Sequence, residues 1–398
     1  MKNPYANITT NIWLLAIISF INRSATMVVI FLPIYLSQKL GYDIKVTGLI
    51  LSLFGLGLIL GSYLGGALTD RFGFLIVQTT SLSVGGLLYF LLQYCHSIPS
   101  ITITLFLIGL IAAWVRPATA ATIAKFTTKE IRPVAYALIY QATNIGSAIG
   151  PALGGMLASF NFIWLFRAEG GINIFAALFM WLAFRNRHDQ MVGEDEIGES
   201  AIATAWWKNQ PFLVYLLLSF LIGIVFLLFL NIYPLYLRES YLLSTSQIGI
   251  VMGMNGLAII LFQIHLAQFL NKFNILRVIG VGGFFICLGY FILPFYHGFY
   301  YALFAITVMT FGEMAVLPFS NNFVAMIAPK GCQGKYLGLV ASTFSLPLLL
   351  TPTLGAYIYT RFGANSVWYF CGVVGVIVFL GFEKLRKYYG DFANTVPR

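Results

Sequence analysis

Long apolar runs alternate with short polar turns along almost the whole chain. Twelve such runs can be placed at about 11–36, 46–68, 75–95, 99–124, 132–159 and 164–184, then 211–237, 245–270, 275–296, 299–326, 334–360 and 364–383. Each is long enough to cross roughly 30 Å of hydrocarbon as α-helix. Helix is the expected state, because a membrane barrel needs short strands of alternating polarity. The turns are of the length that joins antiparallel neighbours, apart from one long polar stretch at 185–210.

A second pattern lies over the first. The polar hinge between spans 2 and 3, Gly65 to Gly73, has an echo 201 residues later, where Asp70-Arg71-Phe72-Gly73 becomes Asn271-Lys272-Phe273-Asn274. The same offset turns Pro33-Ile34-Tyr35-Leu36 into Pro234-Leu235-Tyr236-Leu237, Gly48 and Gly55 into Gly249 and Gly256, Pro117 into Pro318, and Pro151-Ala152-Leu153-Gly154 into Pro352-Thr353-Leu354-Gly355. Helix-breaking residues recurring at one spacing imply the same turns and kinks twice, so the chain reads as two tandem copies of one unit. Residues 1–184 are then an N-terminal six-helix bundle, 185–210 a connecting loop and 211–398 a C-terminal six-helix bundle.

Composition agrees: 59% apolar residues, 9% charged and a mean hydropathy of +0.86 exclude a soluble domain. Cys95, Cys287, Cys332 and Cys371 are scattered without ligand spacing, so neither disulfide, metal nor cofactor is expected. The net charge of +10 would suit nucleic acid, but the cations sit at span ends. With the N-terminus inside the cell, sixteen of the 23 Lys and Arg fall on the cytoplasmic side, five on the other, and two, Arg23 and Arg116, within spans. This bias implies a multi-pass protein of the cell (inner) membrane with both termini and the central loop cytoplasmic. The basic character is topology, and nucleic acid is not an expected partner. Met1 to Thr10 is too polar, and the following run too long, for a cleaved signal peptide, so the first run is expected to be a retained span. The central loop carries Glu194, Asp195, Glu196 and Glu199, then Ala201 to Trp207, with Trp206 and Trp207 as candidate interface anchors. It reads as a tether between the halves.

Twelve spans, a six-plus-six repeat and the turn Gly66-x3-Asp70-Arg71-x-Gly73 resemble the major facilitator superfamily over essentially the full chain. The resemblance implies an all-α membrane protein: twelve transmembrane helices in two six-helix bundles related by pseudo-two-fold symmetry. It also implies that Gly66, Asp70, Arg71 and Gly73 form a cytoplasmic gate latch that docks on the neighbouring half in the outward-open state. The basic residues usual after the last Gly are replaced by Phe74 and Leu75. Asp70 is expected near a helix N-terminus, where the dipole would favour it. The echo Asn271-Lys272 lacks the acid and should form a weaker second latch. Span 5 contains Gly146-x3-Gly150-Pro151-x2-Gly154-Gly155, which looks like the motif of the family's twelve-helix drug:proton antiporters. Physically, glycines four apart form a smooth stripe for close helix approach, and Pro151 adds a bend. Tight packing with no bearing on transport direction is the alternative. Arg116-Pro117 is placed like the buried arginine of the family's fourth-helix motif, without the Gln-Gly that usually follows.

A charge at membrane depth costs about 2.5–3.5 kcal/mol and persists only with a partner or a wet cavity. Arg23 in span 1, Arg116 in span 4 and Glu313 in span 10 qualify, and in the resembled fold these spans line the central cavity. The position 201 residues before Glu313 is Ala112, one turn from Arg116, so Glu313 and Arg116 are expected to face one another. A carboxylate beside cations holds its proton weakly, and one in apolar surroundings holds it tightly. Moving Glu313 between such environments would couple transport to protons; a static Arg–Glu pair is the alternative. Glu169, the second proton-coupling candidate, lies near Arg167, and a surface ion pair is the blander reading. Among in-span amides, Asn22, Asn144 and Asn231 are candidate substrate contacts, with bonding across helices as the alternative for these and for Gln141, Asn173, Asn255, Gln263, Asn321 and Asn322. His265 can sense pH or be merely solvated.

The expected function is secondary active transport by rocking of the two halves about a midplane site. The antiporter resemblance implies export of a small organic molecule in exchange for H+. Two Arg against one Glu favour an anionic or zwitterionic metabolite over a cationic drug. Uptake, uniport and a channel remain open. A membrane-embedded transferase is disfavoured: His96, His188, His265 and His297 are far apart, and no HExxH, GxGxxG or P-loop is present. The expected partners are the substrate, H+ and the lipid bilayer, with the chain as a monomer.

Overall fold

Apolar runs of this length have no water to satisfy their backbone, so they fold as helix throughout. A computed structural model of the protein describes residues 8–128, 131–187, 206–329 and 333–389. The acidic stretch of the central loop, Ala201 and Cys332 lie outside the described residues. In order, the helices are α1 (Thr10–Ser24), α2 (Val28–Ile34), α3 (Ile44–Phe72), α4 (Phe74–Leu92), α5 (Ile98–Ala112), α6 (Val115–Phe126), α7 (Arg132–Phe160) and α8 (Phe162–Phe184). Then come α9 (Gln210–Leu227), α10 (Ile232–Glu239), α11 (Thr245–Leu270), α12 (Ile275–Phe291), α13 (Phe299–Ile327), α14 (Gln333–Phe362) and α15 (Ser366–Tyr389). Among the described residues, eleven spans are long and apolar enough to cross a membrane. The remaining expected span is α7, 29 residues long but diluted by its glycines and by Gln141 and Asn144.

The repeat reappears in the helix starts: Ile44 and Thr245, Phe74 and Ile275, Ile98 and Phe299, Arg132 and Gln333 each differ by 201. The breaks do not all repeat, which corrects the expectation of matching kinks. Span 1 is interrupted at Ala25–Met27 and ends in a π-helical turn, Tyr35–Lys39. Span 4 is interrupted between Ala112 and Val115, and span 7 by a 3-10 turn, Leu228–Leu230, followed by Asn231. Pro117 and Pro234 have no N–H to offer the carbonyls of Ala113 and Leu230, four residues earlier, at two of these breaks. Pro318, the echo of Pro117, nevertheless sits inside an unbroken α13, as Pro151 does in α7 and Pro347 and Pro352 do in α14.

The chain divides into two compact units: Met1–Glu196 with Ser244–Gly256, and Ile197–Leu243 with Leu257–Arg398. Hydrocarbon gives no hydrophobic drive between helices, so close packing through small residues holds each unit together. In the first unit, Gly86 on α4 and Gly170 on α8 face each other so closely that a Cβ on either would come within 2.7 or 2.8 Å of the other's carbonyl oxygen. At one end Phe74, Phe126 and Phe184 meet, with ring centroids 5.5–6.1 Å apart. In the second unit Gly282 and Gly289 of α12 take α13, and Gly280 and Gly283 take α15.

Candidate functional site

The site in the first unit begins at the break in span 1. Breaking a helix exposes the unsatisfied N–H groups of the segment that restarts, here α2. Glu169 of α8, only 2% exposed, supplies the acceptor. One carboxylate oxygen, Oε2, accepts from the backbone N–H of Met27 at 3.0 Å and of Val28 at 2.6 Å. The Tyr89 hydroxyl of α4 donates to the same carboxylate. One turn further along α8, Asn173 Nδ2 donates to the Glu169 carbonyl at 3.0 Å, and Asn173 Oδ1 accepts from Asn22 Nδ2 of α1 at 2.9 Å. Helix α8 therefore grips span 1 on both sides of its break.

This overturns the surface pair of Glu169 with Arg167. Residues two apart on a helix point to nearly opposite sides. Arg167 instead donates through Nε to Gln93 Oε1 at 3.0 Å and lies over the Trp164 ring, while Glu169 faces inward.

Arg23, in the last turn of α1, donates through Nε to Ser147 Oγ of α7 at 2.8 Å and is otherwise exposed. The glycine stripe makes this approach possible. A Cβ at Gly146 would stand 2.8 Å from Phe20 O, one at Gly150 2.9 Å from Ser24 O, and one at Gly154 2.8 Å from Met27 Cβ. Gly155 lies on another face, against Thr245 and Gly249, and Gly249 in turn abuts Pro151. The span 5 motif thus serves two neighbours, α1 and the first half of α11. Arg116, in the first turn of α6, is exposed. Of the candidate amides, Asn22 is engaged by Asn173, Asn231 donates to Leu227 O at 3.0 Å, and Asn144 keeps a buried Nδ2 with no hydrogen-bond partner among the described residues.

Asp70 and Arg71 are exposed in the last turn of α3, so Asp70 stands at a helix C-terminus rather than the N-terminus expected. There the dipole favours Arg71, not the acid. Gly73 ends the helix at φ +81°, a conformation side chains resist, and its N–H returns to Thr69 O at 2.9 Å. Gly66 is not forced by packing, since a Cβ there meets nothing within 4 Å; it is Gly65 that fits against Trp114. Asn271 and Lys272 are exposed after α11, and Asn274, not they, caps α12 through Leu276 N and Arg277 N.

In the second unit Glu313 is 8% exposed. It is the fifteenth of the 29 residues of α13, about 20 Å along the axis from either end. Tyr290 of α12, Tyr233 of α10 and Trp368 of α15 form a cluster with centroids 5.6, 6.2 and 5.6 Å apart. Glu313, Tyr233, Cys371 and Cys287 lie within electrostatic reach of the Tyr290 hydroxyl. Among the described residues no group of three His, Cys, Asp or Glu is placed to hold a metal ion. Sequence reasoning missed Ser147, Tyr89 and Tyr290, although the last two are 201 residues apart and the repeat marks them.

Spans 1, 4 and 7 are interrupted, and the buried carboxylates stand partway along the unbroken α8 and α13, an arrangement that fits a polytopic carrier. The chain belongs to the Major Facilitator Superfamily, whose profile matches residues 12–346 and 228–388, and is a membrane transporter rather than an enzyme. It is 24% identical to the uncharacterized MFS-type transporter YqjV of Bacillus subtilis (strain 168), over 95% of this chain and 93% of that one. It is 23% identical to a Na(+), Li(+), K(+)/H(+) antiporter of Planococcus maritimus, over 84% and 85% of the two chains. With the quinolone resistance protein NorA of Staphylococcus aureus (strain MSSA476) the identity is 22%, over 91% and 93%. Among solved structures, a bacterial homolog of the human lysosomal transporter Spinster shares the fold at a TM-score of 0.75, with 13% identity and all of both chains covered.

Proposed function

We propose that the protein is a secondary active transporter that exports a small organic molecule in exchange for protons by alternating access, with Glu313 carrying the proton. The observation that supports this reading most directly is the burial of Glu313 halfway along a membrane-length helix. An acid there is too costly to be filler, and it changes its proton affinity whenever its surroundings change from wet to apolar. The names of two relatives, a cation/H(+) antiporter and a quinolone resistance protein, point the same way. In this reading Arg23 and Arg116, charged and exposed within spans, attract an anionic or zwitterionic substrate, and Asn144 offers it a free donor. Asp70 and Arg71 act as the gate latch, the bundles are 1–184 and 211–398 joined by 185–210, and a monomer sits in the inner membrane with both termini cytoplasmic.

Proteoliposomes with an imposed pH gradient and a panel of anionic, zwitterionic and cationic compounds test the reading. Glu313→Gln should abolish gradient-driven movement at normal expression, and unchanged transport would end the coupling assignment. Arg23→Gln and Arg116→Gln should weaken anion transport. Tight binding of a lipophilic cation, indifferent to both changes, would overturn the substrate class.

A further inference from the structure

Tyr89 and Tyr290 occupy the same place in the two repeats. Each is the sixteenth residue of its helix, α4 or α12, and each is buried, at 5% and 1% exposure. Each has an acid near it, Glu169 hydrogen-bonded to Tyr89 and Glu313 within electrostatic reach of Tyr290, yet the acids do not correspond. The position 201 after Glu169 is Phe370 and the one 201 before Glu313 is Ala112, so one acid arrives from α8 and the other from α13. The tyrosine is what the repeats share.

The two pairs also differ in state. The Tyr89 hydroxyl donates to the Glu169 carboxylate, which the Met27 and Val28 N–H groups hold in place. At the corresponding break in span 7, Asn231 closes on Leu227 O instead. Among the described residues the Tyr290 hydroxyl has no hydrogen-bond partner, nor have the Tyr233 hydroxyl and Trp368 Nε1 in the rings touching it. Three buried, unpaired donors in one cluster are a standing penalty that native structures tolerate where another arrangement uses them. What a donor lacks is an acceptor. Of the groups within electrostatic reach of the Tyr290 hydroxyl, Cys287 comes from α12, Cys371 from α15 and Tyr233 from α10, and the Cys371 thiol is engaged with Val367 O. From α11, Gln263 donates to Met314 O, beside Glu313, and His265 is exposed. Glu313 is the carboxylate within that electrostatic reach, on a side chain with three rotatable bonds.

We propose that Tyr290 is the positioning residue for Glu313: its hydroxyl takes the carboxylate in one stage of the transport cycle and gives it up in another, the engaged arrangement being the one Tyr89 holds with Glu169. Donation by Tyr290 favours the ionised acid and so sets where in the cycle the proton leaves. The proposal rests on Glu313 as the coupling acid.

The test uses the full chain in lipid, with ring-labelled tyrosine, followed by infrared spectroscopy across pH alongside proton-driven transport. The carboxyl band lost in Glu313→Gln belongs to Glu313. In the unsubstituted protein a tyrosine band should titrate in step with it and vanish from the pH difference in Glu313→Gln. Tyr290→Phe should move the Glu313 midpoint, and with it the pH profile of transport, toward alkaline pH by at least about threefold in proton concentration. A Tyr290→Phe protein that is folded and has an unmoved midpoint overturns the proposal, and so does a tyrosine band indifferent to pH, whether or not that variant folds. If Glu313→Gln leaves transport coupled, the coupling assignment falls instead. A coupling defect in Glu313→Gln with no effect of Tyr290→Phe removes the role of Tyr290 alone.

Discussion

Glu169 holds the break in span 1 closed, and substituting it should show how much of the first unit's stability runs through one carboxylate. Glu169→Ala leaves the Val28 N–H and the Tyr89 hydroxyl buried without that acceptor, and Met27 N–H with only its 2.7 Å bond to Ala25 O. Each orphaned donor costs about 1–3 kcal/mol. Bonds between helices in membranes measure nearer 0.6–2 kcal/mol, so a total of about 2–4 kcal/mol for the two orphaned donors is the working figure. Glu169→Gln keeps an oxygen for the two N–H groups and loses only the charge assistance, about 1–2 kcal/mol. Glu169→Asp, shorter by about 1.5 Å, cannot reach and should resemble Ala. Purified protein can be melted with a thiol-reactive dye, because Cys95, Cys287 and Cys371 are buried until the fold opens. The melting temperature should fall by roughly 4–8 °C for Ala and Asp and about 2–4 °C for Gln. Amide exchange should accelerate at Met27 and Val28 in the same order. An Ala variant that melts with the parent, with those two amides still protected, would refute the reasoning.

Gly150→Ala places a Cβ 2.9 Å from Ser24 O and should cost about 1–3 kcal/mol in the same melts, whereas Gly66→Ala, facing open space, should stay within about 0.5 kcal/mol. Glu383 pairs with Arg277 at 3.5 Å and Arg386 at 2.8 Å, but those side chains are 60% and 35% exposed. Glu383→Gln should therefore cost at most about 1 kcal/mol, an amount that shrinks as salt is added.

Much of the fold was legible before any coordinates. The offset of 201 places four helix starts in each half, because apolar run length and turn position are written in the local chain. The stripe Gly146, Gly150 and Gly154 announced a close neighbour, and α1 is that neighbour. The interruption of span 1 was not legible, since no proline stands four residues beyond Ala25–Met27. Pro117 and Pro318 carry the same local signal, yet one stands beside a break and the other does not.

Taken alone, the sequence determined that the chain is a duplicated set of membrane helices and that Glu313, Arg23 and Arg116 stand well inside its apolar spans, with Glu169 nearer a span end. Tertiary structure alone decided which groups the buried polar side chains meet. Glu169 meets the N–H groups of residues 141 and 142 positions away in the chain, and Asn22 meets Asn173 across 151. Hydropathy and periodicity describe how a helix treats its own surroundings on average. The partner of a buried polar atom depends on which neighbour the packing brings within 3 Å of it, and only the assembled fold fixes that.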